Sequence, residues 1–276
     1  MIQILANHAH VFPDSIWEKG SVKNLLRVLD ECQIEKCVVF APFKEFLENW
    51  DHNPNQWLAK KIKSYPRLIG YGSVNPLSSD ALHELQRVKD LGFKGVKLHP
   101  AVQNFNVLCE KAMKFYQKAE ESKIILDFHT GIHRHRIKDN HPLMFDEIAH
   151  NFPNLVFVME HIGGYSFFKD AVAVIQNNIG ETRKSNIYAG IASVFDIDNN
   201  PSWYLGKQKI EELIHLIGDN NLIFGLDFPY NDSERIQKDI EIIKTLDVSP
   251  GTKEKILGKN LRDLLTVNVN PKGTHL

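Results

Sequence analysis

The 276-residue sequence contains only three cysteines, Cys32, Cys37 and Cys109, and no two of them stand at CxxC spacing. An odd, unpatterned set gives no disulfide framework and no zinc finger, so these read as buried or incidental thiols of a cytosolic protein. An excess of charge of one sign is also missing, since 33 basic side chains against 34 acidic ones leave a formal charge of -1. Such a balance gives nucleic acid or an anionic membrane nothing to hold. No apolar run approaches the roughly 20 residues that cross a bilayer. The first five residues are too few for the apolar stretch of a signal peptide, and a histidine pair follows closely. Neither Gly-x-Ser-x-Gly nor Gly-x4-Gly-Lys occurs, which removes the serine-hydrolase and P-loop readings. Linkers, low-complexity tracts and short-period repeats are absent too.

What is present is ample apolar material, 43% of the residues, arranged in eight short runs. They cover residues 2–6, 37–41, 68–74, 95–99, 124–129, 155–160, 187–193 and 222–227. Amphipathic stretches at helical spacing lie between them, such as Val22, Leu25, Leu26 and Leu29, or Leu108, Ala112, Phe115 and Ala119. Helix-start signals include Ser78-Ser79-Asp80 before Ala81, and Ser249 followed by Pro250. Length alone allows one large domain or two smaller ones. Strand and helix alternate throughout, however, so the connections are crossovers and the sheet is parallel. Eight such units in about 250 residues predict a (β/α)8 TIM barrel, one α/β domain over residues 1–276. A doubly wound nucleotide fold wants a glycine-rich turn after its first strand, and here residues 8–12 read His-Ala-His-Val-Phe. Long loops at 42–53 and 132–141 follow the second and fifth runs, on the rim where barrel enzymes keep their chemistry.

Five histidines and one aspartate end apolar runs that a barrel would bring to that rim: His8, His10, His99, His129, His161 and Asp227. Residues i and i+2 of a strand share a face, so His8 and His10 can address one ion. With His129 and Asp227 they make a set of three imidazoles and one carboxylate, which leaves a coordination place for water or substrate. The competing reading of an isolated His-x-His is a surface pair. His161, followed by Gly163-Gly164, reads as a general acid/base beside the metal, against a core histidine bonded to a strand carbonyl. Lys97 shares a parity with His99, and Asp127 with His129, so both ionisable groups face the axis if the histidines do. Lys97 then either pairs with Asp127 in support of the site or is carboxylated and bridges two metals. Arg134 and Arg136 crowd the loop after the fifth run and suit a substrate carboxylate, or form a solvated charged loop. Asp196 and Asp198 read as loop residues. Trp50, Trp57 and nearby phenylalanines either wall a pocket or pack helices.

In order and spacing, these motifs make the chain resemble the amidohydrolase superfamily, in its amidohydrolase-related (amidohydrolase 2) branch. The resemblance runs from His8-Ala9-His10 through Gly95-Val96-Lys97-Leu98-His99-Pro100, His129-Thr130-Gly131, His161-Ile162-Gly163-Gly164 and Gly225-Leu226-Asp227-Phe228-Pro229. It reaches the closing Ile256-Leu257-Gly258-Lys259-Asn260-Leu261. It implies one divalent metal on His8, His10, His129 and Asp227, with Zn2+ expected first, Mn2+ as the alternative and a binuclear site less favoured. It also implies His161 as the acid/base and Asp227 as a second proton acceptor. Ala6 stands where the family commonly has an aspartate, so one supporting hydrogen bond is either missing or supplied by Asn7. Some members of the branch work without metal, and the branch holds both hydrolases and nonoxidative decarboxylases.

The expectation is therefore a cytoplasmic metal-dependent hydrolase of a small lactone, ester or amide, carboxylate-bearing, working through a metal-activated water. The alternative is a decarboxylase of a small aromatic or related acid at the same site. A third reading is a binding barrel without catalysis. The partner expected is a small-molecule substrate, with neither nucleic acid nor membrane, and a homo-oligomer is left open.

Overall fold

The computed structural model describes residues 2–48, 50–180 and 185–266. Asn49 of the first long loop and both ends of the expected 1–276 domain lie outside the described residues. All eight apolar runs coincide with strands: β1 (Ile4–His10), β2 (Ile34–Phe40), β3 (Leu68–Ser73), β4 (Gly95–Leu98), β5 (Ile125–His129), β6 (Phe157–Glu160), β7 (Ile187–Gly190), and a last strand in two pieces, β8 (Leu222–Ile223) and β9 (Gly225–Phe228). Every pairing is parallel, in the order β8-β7-β6-β5-β4-β3-β2-β1-β9. The sheet closes because the last strand changes partner at Phe224. Residues 222–223 pair with β7, and residues 225–228 pair with β1. The Asn7 amide donates to the Phe224 carbonyl at 2.8 Å across this seam. This is a TIM barrel.

Helices fill the crossovers between the strands: α1 (Val22–Glu31), α2 (Pro54–Ile62), α3 (Ala81–Asp90), α4 (Glu110–Ser122), the short α5 (Ile137–Asn140), α6 (Met144–Asn151), α7 (Gly164–Asn177), α8 (Gly206–Ile217) and α9 (Ser233–Lys244). Then α10 (Pro250–Glu254) and α11 (Asn260–Thr266) end the described chain. The buried stripe of α1 is Val22, Leu25, Val28 and Leu29, so Val28 takes the place expected for Leu26, which is half-buried. That of α4 is Ala112, Phe115, Tyr116 and Ala119, and Leu108 precedes the helix. Ser249 caps α10 through the Thr252 amide. Asp80 stands at the start of α3 without a capping bond, because its backbone is already near-helical.

Inside the barrel, Leu5, Val38, Tyr71, Ile125, Val156, Val158 and Ile223 form the lower layers, with Leu261 and Leu264 of α11 packed against them. The layers interdigitate through small residues. Gly95 faces the axis, and a Cβ there would overlap the Tyr71 ring and come 2.7 Å from the Ile125 carbonyl oxygen. Above this apolar floor, Lys97 lies over the Phe40 ring, 4.9 Å from its centroid, and the interior turns polar. The floor thus sets the level at which the site begins. Replacing Gly95 with Ala should destabilise the protein by about 1–3 kcal/mol, the usual cost of overpacking a close-packed interior. Urea unfolding would read this, and a change under 0.5 kcal/mol, roughly the scatter of a surface substitution, would contradict the packing described.

Candidate metal centre and active site

A strand that only alternates cannot aim two successive side chains at the axis, yet this barrel does so twice. In β1, Leu5 and Asn7 face inward, and then His8 adopts φ +64 while the register with β2 shifts between Ala6 and Ala9. The bulge swings His8 inward beside Asn7 and lets His10 follow. At the end of β6, Glu160 faces inward and His161, at φ +60, turns in directly after it. Ser193 and Asp227 also have left-handed backbones, at φ +59 and +52. His8, His161, Ser193 and Asp227, all in this uncommon region at one end of one barrel, hold strain where side chains are being aimed.

The aim is convergent. His8 Nε2 lies 3.1 Å from His10 Nε2 and 3.3 Å from Asp227 Oδ1. Ligand atoms about 2.0–2.2 Å from a tetrahedral ion stand roughly 3.4 Å apart, so these separations suit the edges of a metal polyhedron. The charge inventory points the same way. Asp127, Glu160 and Asp227 are buried at this end of the barrel with Lys97 as the one buried ammonium among the described residues, a deficit of two positive charges. A divalent cation on His8, His10 and Asp227 would cancel that deficit with every imidazole neutral. The residues present fit the ion.

Electrostatics in the metal-free protein follow from the same deficit. Burial disfavours the His8 imidazolium, as does Lys97, but Glu160 and Asp227 together outweigh both and raise its pKa to about 9. His8 then carries the charge that an ion would bring. His10, His99 and His129 are held well below the usual histidine range by burial and by neighbouring positive groups. They are neutral, as ligands must be. For Asp227, burial is overcome chiefly by His8, by charge and by hydrogen bond, which keeps the carboxylate ionised. Ser193 Oγ also donates to Asp227 Oδ2 at 2.6 Å, and Asn231 Nδ2 donates to Ser193 at 2.9 Å.

A buried polar chain supports this cluster from below. Lys97 Nζ donates to Asp127 Oδ1 at 2.7 Å, and Asn7 Nδ2 donates both to Asp127 Oδ2 at 2.7 Å and to Glu160 Oε1 at 2.5 Å. Glu160 Oε2 lies 3.0 Å from His8 Nδ1, close enough for an ion pair although off the line of a good hydrogen bond. Burial pushes Asp127 up with Lys97 restraining it, whereas Glu160 is pulled down by His8 against its own burial. Of the two sequence readings of Lys97, the geometry is that of the ion pair.

His129 stands apart from the three-donor group. Its ring stacks on His99, with centroids 3.9 Å apart and planes at 9°, and its donor atoms group with those of His99 and His133. Its Nε2 is buried with no hydrogen-bond partner. Serving as a fourth ligand would require that ring to shift, since ligands of one ion cannot lie so far apart. His161 neighbours both groups, at 5.0 Å from His8 and 4.8 Å from His129 between centroids. Its Nδ1 lies 2.8 Å from the Ala192 carbonyl oxygen, which can only accept, so Nδ1 carries the proton and Nε2 is bare. Burial lowers its pKa to about 4.

The walls come from the loops. Phe43, in the first long loop, stands 6.0 Å from His10 and 5.9 Å from His99, while Trp50 packs on Trp57 away from these rings. Trp203 stacks on His161 at 4.4 Å and donates from Nε1 to the Ile132 carbonyl at 3.2 Å, joining the loops after β5 and β7. Gly163-Gly164 allows that approach, since a Cβ on Gly164 would come 2.8 Å from the Ser202 carbonyl. Arg134 and Arg136 are exposed on the 132–141 loop. Arg136 pairs with Asp139 at 3.6 Å, and Arg134 is near enough to His133 to disfavour its charged form after burial has done the same. His133, not an arginine, is the residue of that loop set against His99 and His129. Asp196 binds the amides of Asp198 and Asn199, as a loop residue does. Sequence reasoning missed Glu160 and Trp203. An ionisable residue ending an apolar run, at the parity of Val156 and Val158, was a usable signal for Glu160; none marked Trp203.

Among the solved structures similar to this chain is 5-carboxyvanillate decarboxylase from Sphingomonas paucimobilis, with 14% identity, TM-score 0.73, and coverage of 97% of this chain and 100% of that one. A dihydroxybenzoic acid decarboxylase from Polaromonas sp., with bound manganese and 2-nitroresorcinol, aligns at 16% identity, TM-score 0.70, and coverage of 97% and 98%. A probable 2-pyrone-4,6-dicarboxylic acid hydrolase from Acinetobacter baumannii, with citric acid bound, aligns at 18% identity, TM-score 0.67, and coverage of 96% and 100%. At these identities the likeness is one of fold. The sequence pattern that defines Amidohydro_2, the Amidohydrolase family, matches residues 9–266. That family consists of enzymes, hydrolases or decarboxylases, and generally uses a divalent metal. The chain belongs to the amidohydrolase family.

Proposed function

We propose that this chain is a metal-dependent hydrolase of a small lactone, ester or amide, with His161 as its base. The observation that carries the choice is the fixed tautomer of His161, whose bare Nε2 is ready to take a proton and has none to give. Its low pKa, a consequence of burial, keeps it in that state near neutrality. A decarboxylase that protonates carbon through His161 would need the opposite resting state. His8, His10 and Asp227 would hold the metal, and His129, with its unpartnered Nε2, would become a fourth ligand by shifting its ring from His99. An ion there supplies Lewis acidity toward a carbonyl and toward water. Two or three imidazoles with one carboxylate suit zinc best, with manganese the alternative. Asp227, ionised and bonded to Ser193 through one oxygen, would serve as metal ligand and second proton acceptor. Arg134, at the mouth beside His133, is the cation available to a substrate carboxylate. Phe43 beside His99 and Trp203 on His161 would give the site aromatic walls that favour a planar substrate.

Replacing His161 with Asn should leave metal content within a factor of two of the wild type while turnover falls by about 10²–10⁴. Elemental analysis and a pH-indicator assay over lactones and esters would measure both. Carbon dioxide release from hydroxybenzoates, with no turnover on that panel, would instead establish the decarboxylase. Loss of metal from the His161 variant would make it a ligand and sink the assignment as base.

Ligand variants separate the two histidine groups. His10→Ala should abolish retention of zinc through gel filtration, because it removes one of three converging donors. His129→Ala should weaken zinc binding more than tenfold if it is the fourth ligand, an effect of about 1.4 kcal/mol. Unchanged affinity in the His129 variant would reduce the site to three protein ligands.

A further inference from the structure

We infer that Glu160 is a positioning residue for the metal, holding His8 through the ring nitrogen that faces away from the ion. The inference rests on the metal reading above and extends it to a side chain outside the ligand set. His8 Nε2 faces His10 and Asp227, while Nδ1 faces Glu160 at 3.0 Å. An imidazole that ligates through Nε2 carries its proton on Nδ1, and a buried carboxylate facing that proton fixes the tautomer, orients the ring and strengthens the donor.

Three further features show that the carboxylate is placed. Asn7 Nδ2 holds its other oxygen at 2.5 Å, and the same amide nitrogen reaches Asp127, which Lys97 anchors. Gly190, paired with Glu160 across β6 and β7, leaves the space that the carboxylate fills, and a Cβ at that position would overlap it. The bulge at His8 brings Asn7 and His8 inward together, so the residue that steadies Glu160 adjoins the one that Glu160 steadies. With the fold alone to serve, an apolar side chain opposite a larger residue at 190 would fill this volume without burying a charge.

The test is zinc affinity by chelator competition in the full chain, with the cobalt-substituted visible spectrum as a second readout. Glu160→Gln keeps the shape and loses the charge. Gly190→Ala keeps every polar group and displaces the carboxylate. Each variant should bind zinc about 10–100-fold more weakly than the wild type. Each should also shift the cobalt bands. Glu160→Gln should do so with the thermal midpoint of the metal-free protein no lower than that of the wild type, whereas Gly190→Ala lowers that midpoint by overpacking and is read in its folded fraction. If Glu160→Gln fails to fold, Gly190→Ala decides alone. Wild-type affinity and an unchanged cobalt spectrum in the folded variants would overturn the role. So would a second zinc ion per wild-type chain that is lost in Asp127→Asn and kept in His133→Ala, since it would sit on the His8, Asp127 and Glu160 atoms, which also lie within 4.8 Å of one another. A wild-type chain that takes up no zinc, manganese or cobalt refutes the metal reading itself, an outcome distinct from both.

Discussion

Three carboxylates and one ammonium are buried together where the barrel turns from apolar to polar, and the rest of the site is arranged around that imbalance. An isolated buried charge is far too costly to leave uncompensated, so each carboxylate has been given partners. Asp127 has Lys97 and Asn7, Glu160 has Asn7 and His8, and Asp227 has His8 and Ser193. His8 therefore stands between two carboxylates that Lys97 does not satisfy, and its raised pKa is the metal-free answer to the same shortage. A cation in place of that proton converts a stability problem into a binding site. Metal uptake there would be linked to folding, because whatever fills the place stabilises the folded state alone.

The backbone makes this possible by departing from alternation at chosen points. A regular strand would have delivered Asn7 or His8 to the axis, and Glu160 or His161, but not both of either pair. Left-handed conformations at His8 and His161 double the density of functional groups at the end of a strand. The strain is tolerable because the surroundings over-determine it: Gly225 backs His8 closely, and the Ala192 carbonyl holds the His161 ring. Small residues on adjoining strands complete the arrangement. Gly95 admits Tyr71 to the floor, and Gly190 admits Glu160 to the level above it.

Much of this could be read from the chain, because strands buried on both faces announce themselves as continuous apolar runs. All eight runs became strands, and the parity argument brought Lys97 to Asp127 without any structure. Parity also brought His8 to His10, although for an incomplete reason, since a bulge and not plain alternation sets their approach. The sequence carries no mark of a left-handed φ at a histidine, so the inward turn of His161 after Glu160 was out of reach. Nor does it show which imidazoles stack: His129 belongs by sequence with His8 and His10, yet its ring has settled on His99. Loop residues were hardest. Trp203 comes to His161 from a segment with no periodic signal, and the arginines that drew attention lie outside the ring of histidines.

The division between floor and loops explains how one family can house different reactions. The buried chain from Lys97 to Asp227 sets charge and donor geometry and makes no reference to a substrate. With His161 as the proposed base, the sense of proton transfer would turn on where its proton rests, and here the Ala192 carbonyl holds it on Nδ1. A change that freed that ring, or moved the acceptor to its other nitrogen, would alter the sense of proton transfer with every proposed ligand in place. Phe43, His133 and Trp203 lie against the histidines from loops and carry none of the buried charge. Such residues can be exchanged without disturbing the balance below them, so specificity can change at little cost to folding.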